Sequence, residues 1–324
     1  MRYIKTNYIN KIIIHVLLFT LLIGNATESN ASFIEVITKS FQSIHRTFVN
    51  IKRRKLKVDD EVWPYLEAGK KHKETIVFIH GYGGIKELWI KMMYYYKKNY
   101  HVIAPDMPGF GEHKIHMRKK YTVPYQVKLL HNFFKKKGLK KFHMAGMSLG
   151  GATAGIYATY YSEQIKSLLL ISPAGIKTKI LSPFWKLYHS KDENALLYTN
   201  HKQFLRMLKL VLKKKKKYPR IVSYFFIVRK KRRIPIEKKI WNDLVSSGYN
   251  MLGERLHLIK SKTLVIWGGK DKVLHISATD IIQAKLKNAT VKIFPSEGHA
   301  IVWESPKLIT SSYDILLKSI NKKK

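Results

Sequence analysis

The sequence contains no cysteine, which excludes disulfide bonds, a thiolate nucleophile, a cysteine-ligated zinc site and a lipid-modified cysteine. Acidic residues are scarce as well: 21 Asp and Glu accompany 61 Lys and Arg, so the net charge is +40 over 324 residues. Apolar residues make up 45% of the chain, a normal fraction for a globular protein. The charge surplus predicts attraction to a polyanion, either nucleic acid or acidic lipid headgroups.

The N-terminal segment has no apolar run long enough to cross a bilayer comfortably, which takes about 20 residues. Residues 1–11 carry three basic side chains and no acidic one, and an apolar run follows at 12–24. Both features are typical of a signal peptide, and small residues precede possible cleavage points after Ala26 and after Ala31. We expect residues 1–31 to be a signal peptide or an uncleaved membrane anchor. The protein would then be exported across the inner membrane to a periplasmic, secreted or membrane-associated location, and no nucleic-acid partner is expected.

Short apolar runs alternate with helical patterns in residues 32–175 and 258–324. The runs typical of strands are 75–80, 101–105, 142–147, 167–172, 263–268 and 290–295. Most of them are apolar at nearly every position, as in strands that are covered on both faces. The alternation therefore predicts an α/β fold with a mostly parallel central sheet flanked by helices.

The alternation stops at residues 176–257, a segment that we call the cap. Its helical patterns predict a helical insertion between two strands of one sheet. Residues 176–256 hold 21 basic and five acidic residues, and the basic ones are concentrated at Lys213–Lys217 and Arg229–Arg233. These clusters are either an ordinary solvated face or a surface that binds an anionic membrane.

Residues 146–150 have the sequence Gly-Met-Ser-Leu-Gly, between a predicted strand and a predicted helix. Glycines on both sides allow the sharp turn that presents a serine hydroxyl at the carboxyl edge of a sheet. The N-terminus of the following helix also stabilises negative charge that develops there. Ser148 is therefore predicted to be a nucleophile.

A serine nucleophile needs a base, and the base needs a group that orients it. His299 follows the last predicted strand, and Asp271 follows the strand before it. The carboxyl ends of parallel strands meet at the edge where open α/β sheets place their sites. We therefore predict His299 as the base and Asp271 as its orienting acid.

Residues 80–84 have the sequence His-Gly-Tyr-Gly-Gly and follow the strand 75–80. Acyl transfer needs hydrogen-bond donors aimed at the oxyanion of the tetrahedral intermediate. A glycine-rich loop lets a backbone amide approach that position. We predict that the amides of Tyr82 and Met147 form the oxyanion hole.

These signatures, in this order and with the cap between strands, resemble the α/β-hydrolase superfamily of serine hydrolases over about residues 60–320. The order Ser148, Asp271, His299 is that of the family's triad. Three further stretches resemble membrane-anchored monoacylglycerol lipases and bacterial lipases. They are residues 80–89, Tyr160-Tyr161 together with 172–175, and 266–268.

The resemblance implies hydrolysis of lipid esters such as monoacylglycerols through an acyl-enzyme, without a metal or an organic cofactor. The basic charge departs from the family pattern and leaves the substrate open. A carboxylesterase of small soluble esters and a carbon–carbon bond hydrolase share the scaffold, whereas epoxide hydrolases and dehalogenases carry Asp where this chain has Ser148. A non-catalytic binding protein built on the same fold is a further alternative.

Overall fold

The computed structural model describes residues 40, 43, 44, 46–191, 193–214 and 220–321. One eight-stranded sheet forms its centre, with the spatial order β1-β2-β4-β3-β5-β6-β7-β8. In chain order the strands are β1 (Lys52–Val58), β2 (Glu61–Ala68), β3 (Thr75–Ile79), β4 (His101–Pro105), β5 (Phe142–Met147), β6 (Ile165–Ile171), β7 (Lys262–Gly268) and β8 (Ala289–Phe294). The pairs β1–β2 and β2–β4 are antiparallel, and the five other pairs are parallel.

Helices lie between and after these strands. After residue 50, the α-helices of the described part are α1 (Ile90–Tyr96), α2 (Val123–Lys136), α3 (Leu149–Tyr160), α4 (Pro183–Lys191), α5 (His201–Val211), α6 (Arg220–Ser246), α7 (Met251–Arg255), α8 (Ala278–Lys285), α9 (Ile301–Glu304) and α10 (Pro306–Asn321). Short 3-10 turns occupy Lys86–Trp89, Ser162–Gln164 and Leu256–Leu258. The mostly parallel α/β sheet predicted from the sequence is confirmed, and the six predicted strands are present with ends shifted by two residues or fewer.

Both faces of the sheet are buried, as strand β3 shows. Successive side chains of a strand point to opposite faces. Val77 and Ile79 pack with α2 and α3 on one face, whereas Ile76 and Phe78 pack with α1 and α10 on the other. All four side chains are fully buried. This double coverage explains why the central strands are apolar at nearly every position.

The sequence did not predict the hairpin β1–β2. Strand β1 lies at the edge of the sheet, and most of its side chains are basic and exposed. Charged side chains protect an edge from pairing with another chain, and they also remove the apolar pattern of a strand. Strand β2 contains Pro64, which has no amide hydrogen, although its carbonyl accepts the Asp106 amide at 2.9 Å.

The segment between β6 and β7 contains helices α4, α5, α6 and α7. The sequence predicted a helix only from Ile236, whereas α6 begins at Arg220 and continues through Pro235. A proline inside a helix removes one backbone hydrogen bond and usually marks a helix boundary. The sequence pattern therefore did not predict a helix for the residues before Pro235. The bounds of the cap at 176 and 257 stay a prediction.

No helix within the described residues is both long and apolar enough to cross a bilayer. The predicted signal peptide or anchor, residues 1–31, lies outside the described residues.

Candidate active site

Ser148 occupies the junction between β5 and α3 with a left-handed backbone, φ +56° and ψ −122°. Its amide donates to the Ile171 carbonyl at 2.9 Å, and its carbonyl accepts the amides of Ala152 and Ala174 at 3.0 Å each. These three bonds join the serine to β6, to its own helix and to the loop after β6. A non-glycine residue at positive φ is strained, and such strain occurs at functional sites.

The two glycines of the motif are required by close packing of the backbone. A β-carbon on Gly150 would lie 2.3 Å from the carbonyl oxygen of Ile79, which ends β3. A β-carbon on Gly146 would lie 2.1 Å from the carbonyl oxygen of Gly150 itself. Helix α3 can therefore start directly at Ser148 and press against the sheet only because both positions lack side chains.

His299 and Asp271 are in direct contact. Nδ1 of His299 donates to Oδ2 of Asp271 at 2.7 Å, and both residues are buried. The other carboxylate oxygen of Asp271 accepts the amides of Val273 and Leu274 at 2.8 and 3.0 Å. A carboxylate fixed in this way holds the imidazole in the tautomer whose free nitrogen is Nε2. Nε2 is then the atom available to take a proton.

The predicted residues all follow strands at one edge of the sheet. Ser148 follows β5, Asp271 follows β7 and His299 follows β8, so their side chains come from the carboxyl ends of parallel strands, with β6 lying between β5 and β7. Within the described residues, no group of three or more His, Asp or Glu side chains is arranged to hold a metal ion.

His80 stabilises the glycine-rich loop after β3 and is not a base. Its Nδ1 lies 2.8 Å from the carbonyl of Gly81, and its Nε2 accepts the amide of Met107 at 3.0 Å. Burial lowers the pKa of this imidazole, so the ring is neutral and both nitrogens are engaged. A β-carbon on Gly81 would lie 3.1 Å from Cβ of Ser148 and 3.6 Å from its Oγ, so the loop lies against the Ser148 side chain.

The backbone amides of Met147 and Leu149, the residues on either side of Ser148, differ in direction. Met147 is the last residue of β5, and amides along a strand alternate between its two neighbours. Because the Ser148 amide donates to β6, the Met147 amide faces β3. Leu149 is the first residue of α3, where amides have no acceptor within the helix. The geometry therefore favours Leu149, which the sequence analysis missed, over Met147 as an oxyanion donor next to Ser148.

An apolar cavity opens beside Ser148 and lies between the core and the cap. Ser148 lines it together with Tyr82 and Leu149. Its other lining residues are mostly aliphatic or aromatic and include Ala152, Ile156, Phe184, Trp185, Leu196, Trp241, Leu244, Val245, Tyr249, Met251, Leu252, Val273 and Leu274. Trp185 contacts Trp241 and Tyr249 with ring centroids 5.7 and 4.3 Å apart. The cap thus supplies an aromatic wall to a cavity that Ser148 of the core also lines.

Cationic residues of the second basic cluster connect the cap to the core. Lys230 is buried and pairs with Glu237, and a β-carbon on Gly83 would lie 3.0 Å from its Nζ. Arg233 donates to the carbonyl of Gly111 at 3.0 Å and also to that of Gly109. These two residues contact the loops after β3 and β4, so they are not part of a solvated face.

Comparison with known proteins identifies the family of the chain. A family model described as the alpha/beta hydrolase fold matches residues 74–306. Monoacylglycerol lipase abhd6-B of Xenopus laevis is 32% identical over 274 residues, which cover 80% of this chain and 81% of that protein. Lipase 1 of Psychrobacter immobilis is 28% identical over 298 residues, covering 89% and 91%.

A solved structure described as a membrane phospholipase A, a bacterial virulence factor, superposes with a TM-score of 0.83. It is 27% identical, and the match covers 96% of this chain and 99% of that one. The family model and these relatives confirm the fold and the family that the sequence predicted. The chain therefore belongs to the α/β-hydrolase family, and it is an ester hydrolase.

Proposed function

We propose that Ser148, His299 and Asp271 act as a catalytic triad. Ser148 Oγ attacks the ester carbonyl while Nε2 of His299 takes its proton, and Asp271 stabilises the imidazolium that forms. His299 then protonates the departing alcohol, and a water molecule activated by the same base hydrolyses the acyl-enzyme. The 2.7 Å bond between Nδ1 of His299 and Oδ2 of Asp271, together with the strained backbone of Ser148, supports these roles.

For the oxyanion we propose two backbone amides, those of Tyr82 and Leu149. Tyr82 was predicted for this role, and its side chain is held because its hydroxyl donates to the Glu237 carbonyl at 2.8 Å. We propose Leu149 instead of the predicted Met147 because the Met147 amide faces β3. Helix α3 adds its positive N-terminal end at the same point.

The substrate that we propose is a lipid ester such as a monoacylglycerol. One observation carries this proposal: the cavity beside Ser148 is lined by apolar side chains along α3 as far as Ile156. Eight residues of helix rise about 12 Å, which is long enough to hold much of an acyl chain. A small soluble ester would need only the part of this apolar wall that lies next to Ser148.

The proposal is tested by hydrolysis of p-nitrophenyl esters from two to sixteen carbons, followed by hydrolysis of a monoacylglycerol. We expect a medium-to-long chain optimum and no turnover by the Ser148→Ala protein, with Ser162→Ala as a matched serine control that retains full activity. Ester turnover by a folded Ser148→Ala protein would overturn the assignment of Ser148 as the nucleophile. A short-chain optimum would instead indicate a soluble carboxylesterase, and inactivity on every ester would indicate carbon–carbon bond cleavage.

We also propose that the cap faces an anionic membrane surface. Lys209, Lys231 and Lys238 are exposed on its helices, and each basic side chain near such a surface contributes about 1 kcal/mol. The solved relative named as a membrane phospholipase A supports a membrane-associated location. Lys213 and Arg233 do not belong to this surface because they contact the core, and Lys230 does not belong to it because it is buried.

Sedimentation with phosphatidylglycerol vesicles tests the membrane surface. Replacing the three exposed cap lysines by Gln is expected to weaken binding on the order of 100-fold at low salt. A matched triple variant removes the same charge from the edge strand, at Lys52, Lys55 and Lys57, all of which are exposed. Equal weakening by both variants would show that net charge, and not the cap, attracts the protein.

A further inference from the structure

Lys213 begins the lysine run of the cap, yet its ammonium group is bound to the core. Nζ of Lys213 donates to both carboxylate oxygens of Glu297 at 2.9 and 3.0 Å and to Oγ of Ser305 at 2.9 Å. Ser305 in turn donates to Glu297 at 2.7 Å. Only 5% of the Glu297 side chain is exposed, so its carboxylate requires these partners.

Backbone contacts around Lys213 also hold the loop that contains Glu297 and His299. The amide of Ala300 donates to the carbonyl of Val211 at 2.8 Å, and the Lys213 amide donates to Oε2 of Glu304 at 2.9 Å. A β-carbon on Gly298 would lie 2.9 Å from the Lys213 nitrogen. His299 stands between Gly298 and Ala300, so the residues on both of its sides touch one short segment of the cap.

A catalytic base must be held closely in place, because a displacement of about 1 Å can cost a factor of about 100 in rate. Asp271 fixes the ring of His299 at one nitrogen, but the backbone of the loop needs its own support. We propose that Lys213 is a positioning residue for His299, acting through Glu297. This inference rests on the proposed role of His299 as the base.

The ion pair also balances charge next to the base. The charged residues that flank the loop include Asp271, Glu297, Glu304 and Lys213, and also Lys270, whose amide donates to the Glu297 carbonyl at 2.8 Å. Without Lys213, the carboxylate of Glu297 is left uncompensated and favours a protonated imidazole. Without the Glu297 carboxylate, the ammonium of Lys213 disfavours it. The two single variants are therefore expected to move the pH–rate profile in opposite directions.

The experiment compares Lys213→Met, Glu297→Gln and the double variant on a soluble p-nitrophenyl ester, with rates normalised to the serine labelled by a fluorophosphonate. We expect kcat to fall about tenfold in Lys213→Met with KM nearly unchanged. The acid limb of kcat/KM is expected to move up by about half a pH unit in Lys213→Met, down in Glu297→Gln, and back in the double variant. Lys213→Arg is expected to retain most of the activity.

Lys307→Met is the matched control, since Lys307 is an exposed lysine close in sequence to Ser305 and its loss should leave the profile unchanged. Single variants that melt earlier but keep the wild-type kcat and pH profile would overturn the proposal and leave Lys213 a stabilising contact only. Opposite shifts of the acid limb would support it. His299→Ala separates the two hypotheses: if that variant keeps its activity, the proposed function fails as well, whereas if it is inactive beside a normal Lys213→Met, only the role of Lys213 fails.

Discussion

The ammonium group of Lys86 lies 2.7 Å from Oδ2 of Asp106, and neither side chain has more than 1% of its surface exposed. Asp106 also accepts the amides of Lys86 and Glu112, at 2.8 and 2.9 Å. One buried carboxylate thus joins the loop after β3, which approaches Ser148, to the loop after β4. Burial would lower the pKa of Lys86, but the carboxylates of Asp106 and Glu87 outweigh it and raise that pKa, so the ammonium group keeps its charge.

Replacing Lys86 by Met is expected to lower the free energy of unfolding by about 3–5 kcal/mol, because the Asp106 carboxylate would stay buried without its partner. Urea denaturation monitored by tryptophan fluorescence measures the change. Lys98→Met removes an exposed lysine of the same region and is expected to cost less than about 0.5 kcal/mol. Equal losses in the two proteins would contradict a special role of the buried pair.

Gly83 and Gly138 form a natural pair for comparison, with φ of +65° and +75°. Alanine strains the backbone at either position by about 1 kcal/mol. A β-carbon at Gly83 would also lie 3.0 Å from Nζ of Lys230 and 3.5 Å from Oε2 of Glu237, whereas nothing lies within 4 Å at Gly138. We expect both variants to be destabilised but only Gly83→Ala to lose ester hydrolysis, by about tenfold in kcat/KM. Similar kinetics of the two purified variants would show that the buried ion pair above the loop does not affect the site.

Ala152 lies about one helical turn beyond Ser148, and Ile156 lies one turn further, along the wall of the cavity. Ala152→Phe is expected to reduce hydrolysis of a twelve-carbon ester at least tenfold relative to a four-carbon ester, because the ring would fill the cavity close to Ser148. Ile156→Ala is expected to shift the preference to longer chains. Because the two substitutions change the channel in opposite directions, parallel changes in chain-length preference would argue that the acyl group binds elsewhere.

Glu67 makes the stability depend on pH. Burial would raise the pKa of this carboxyl, but hydrogen bonds from His101 and Lys137 outweigh it and lower the pKa to about 2 from an ordinary value of 4.5. A carboxyl group whose pKa is lowered in the folded protein stabilises the fold above pH 4.5, and that contribution disappears as the pH falls to about 2. The stability difference between wild type and Glu67→Gln, measured by urea denaturation, should therefore shrink over that range. Glu163→Gln, at an exposed carboxylate, is expected to show no such trend.

The sequence predicted the parts of the fold that repeat a local pattern. Strands β3 to β7 are apolar because the sheet is covered on both faces there, and Ser148 was recognisable because its turn demands glycines at 146 and 150. The hairpin β1–β2 escaped prediction because its edge position permits basic side chains and a proline. Its pairing with β4 is a long-range contact that no short window of sequence contains.

The basic clusters of the cap likewise contain contacts that the sequence could not predict. Lys213, Lys230 and Arg233 could not be told from their exposed neighbours by sequence, because a lysine that fixes a loop and a lysine in solvent have the same local surroundings. Lys213 differs from Lys214 because it has an acceptor, Glu297, which lies 84 residues away in the sequence. The preference for Leu149 over Met147 likewise depends on the direction of one amide, which only the strand pairing reveals.

The neighbouring strands β6 and β7 are joined through the whole cap, since β6 ends at Ile171 and β7 begins at Lys262. Closing so long a loop is entropically costly, and contacts between distant parts of a chain slow the folding reaction. Ser148 precedes this loop, whereas Asp271 and His299 follow it. On refolding, hydrolytic activity should therefore return after most of the helical circular dichroism, making catalysis itself a reporter of the last long-range step in assembling the sheet.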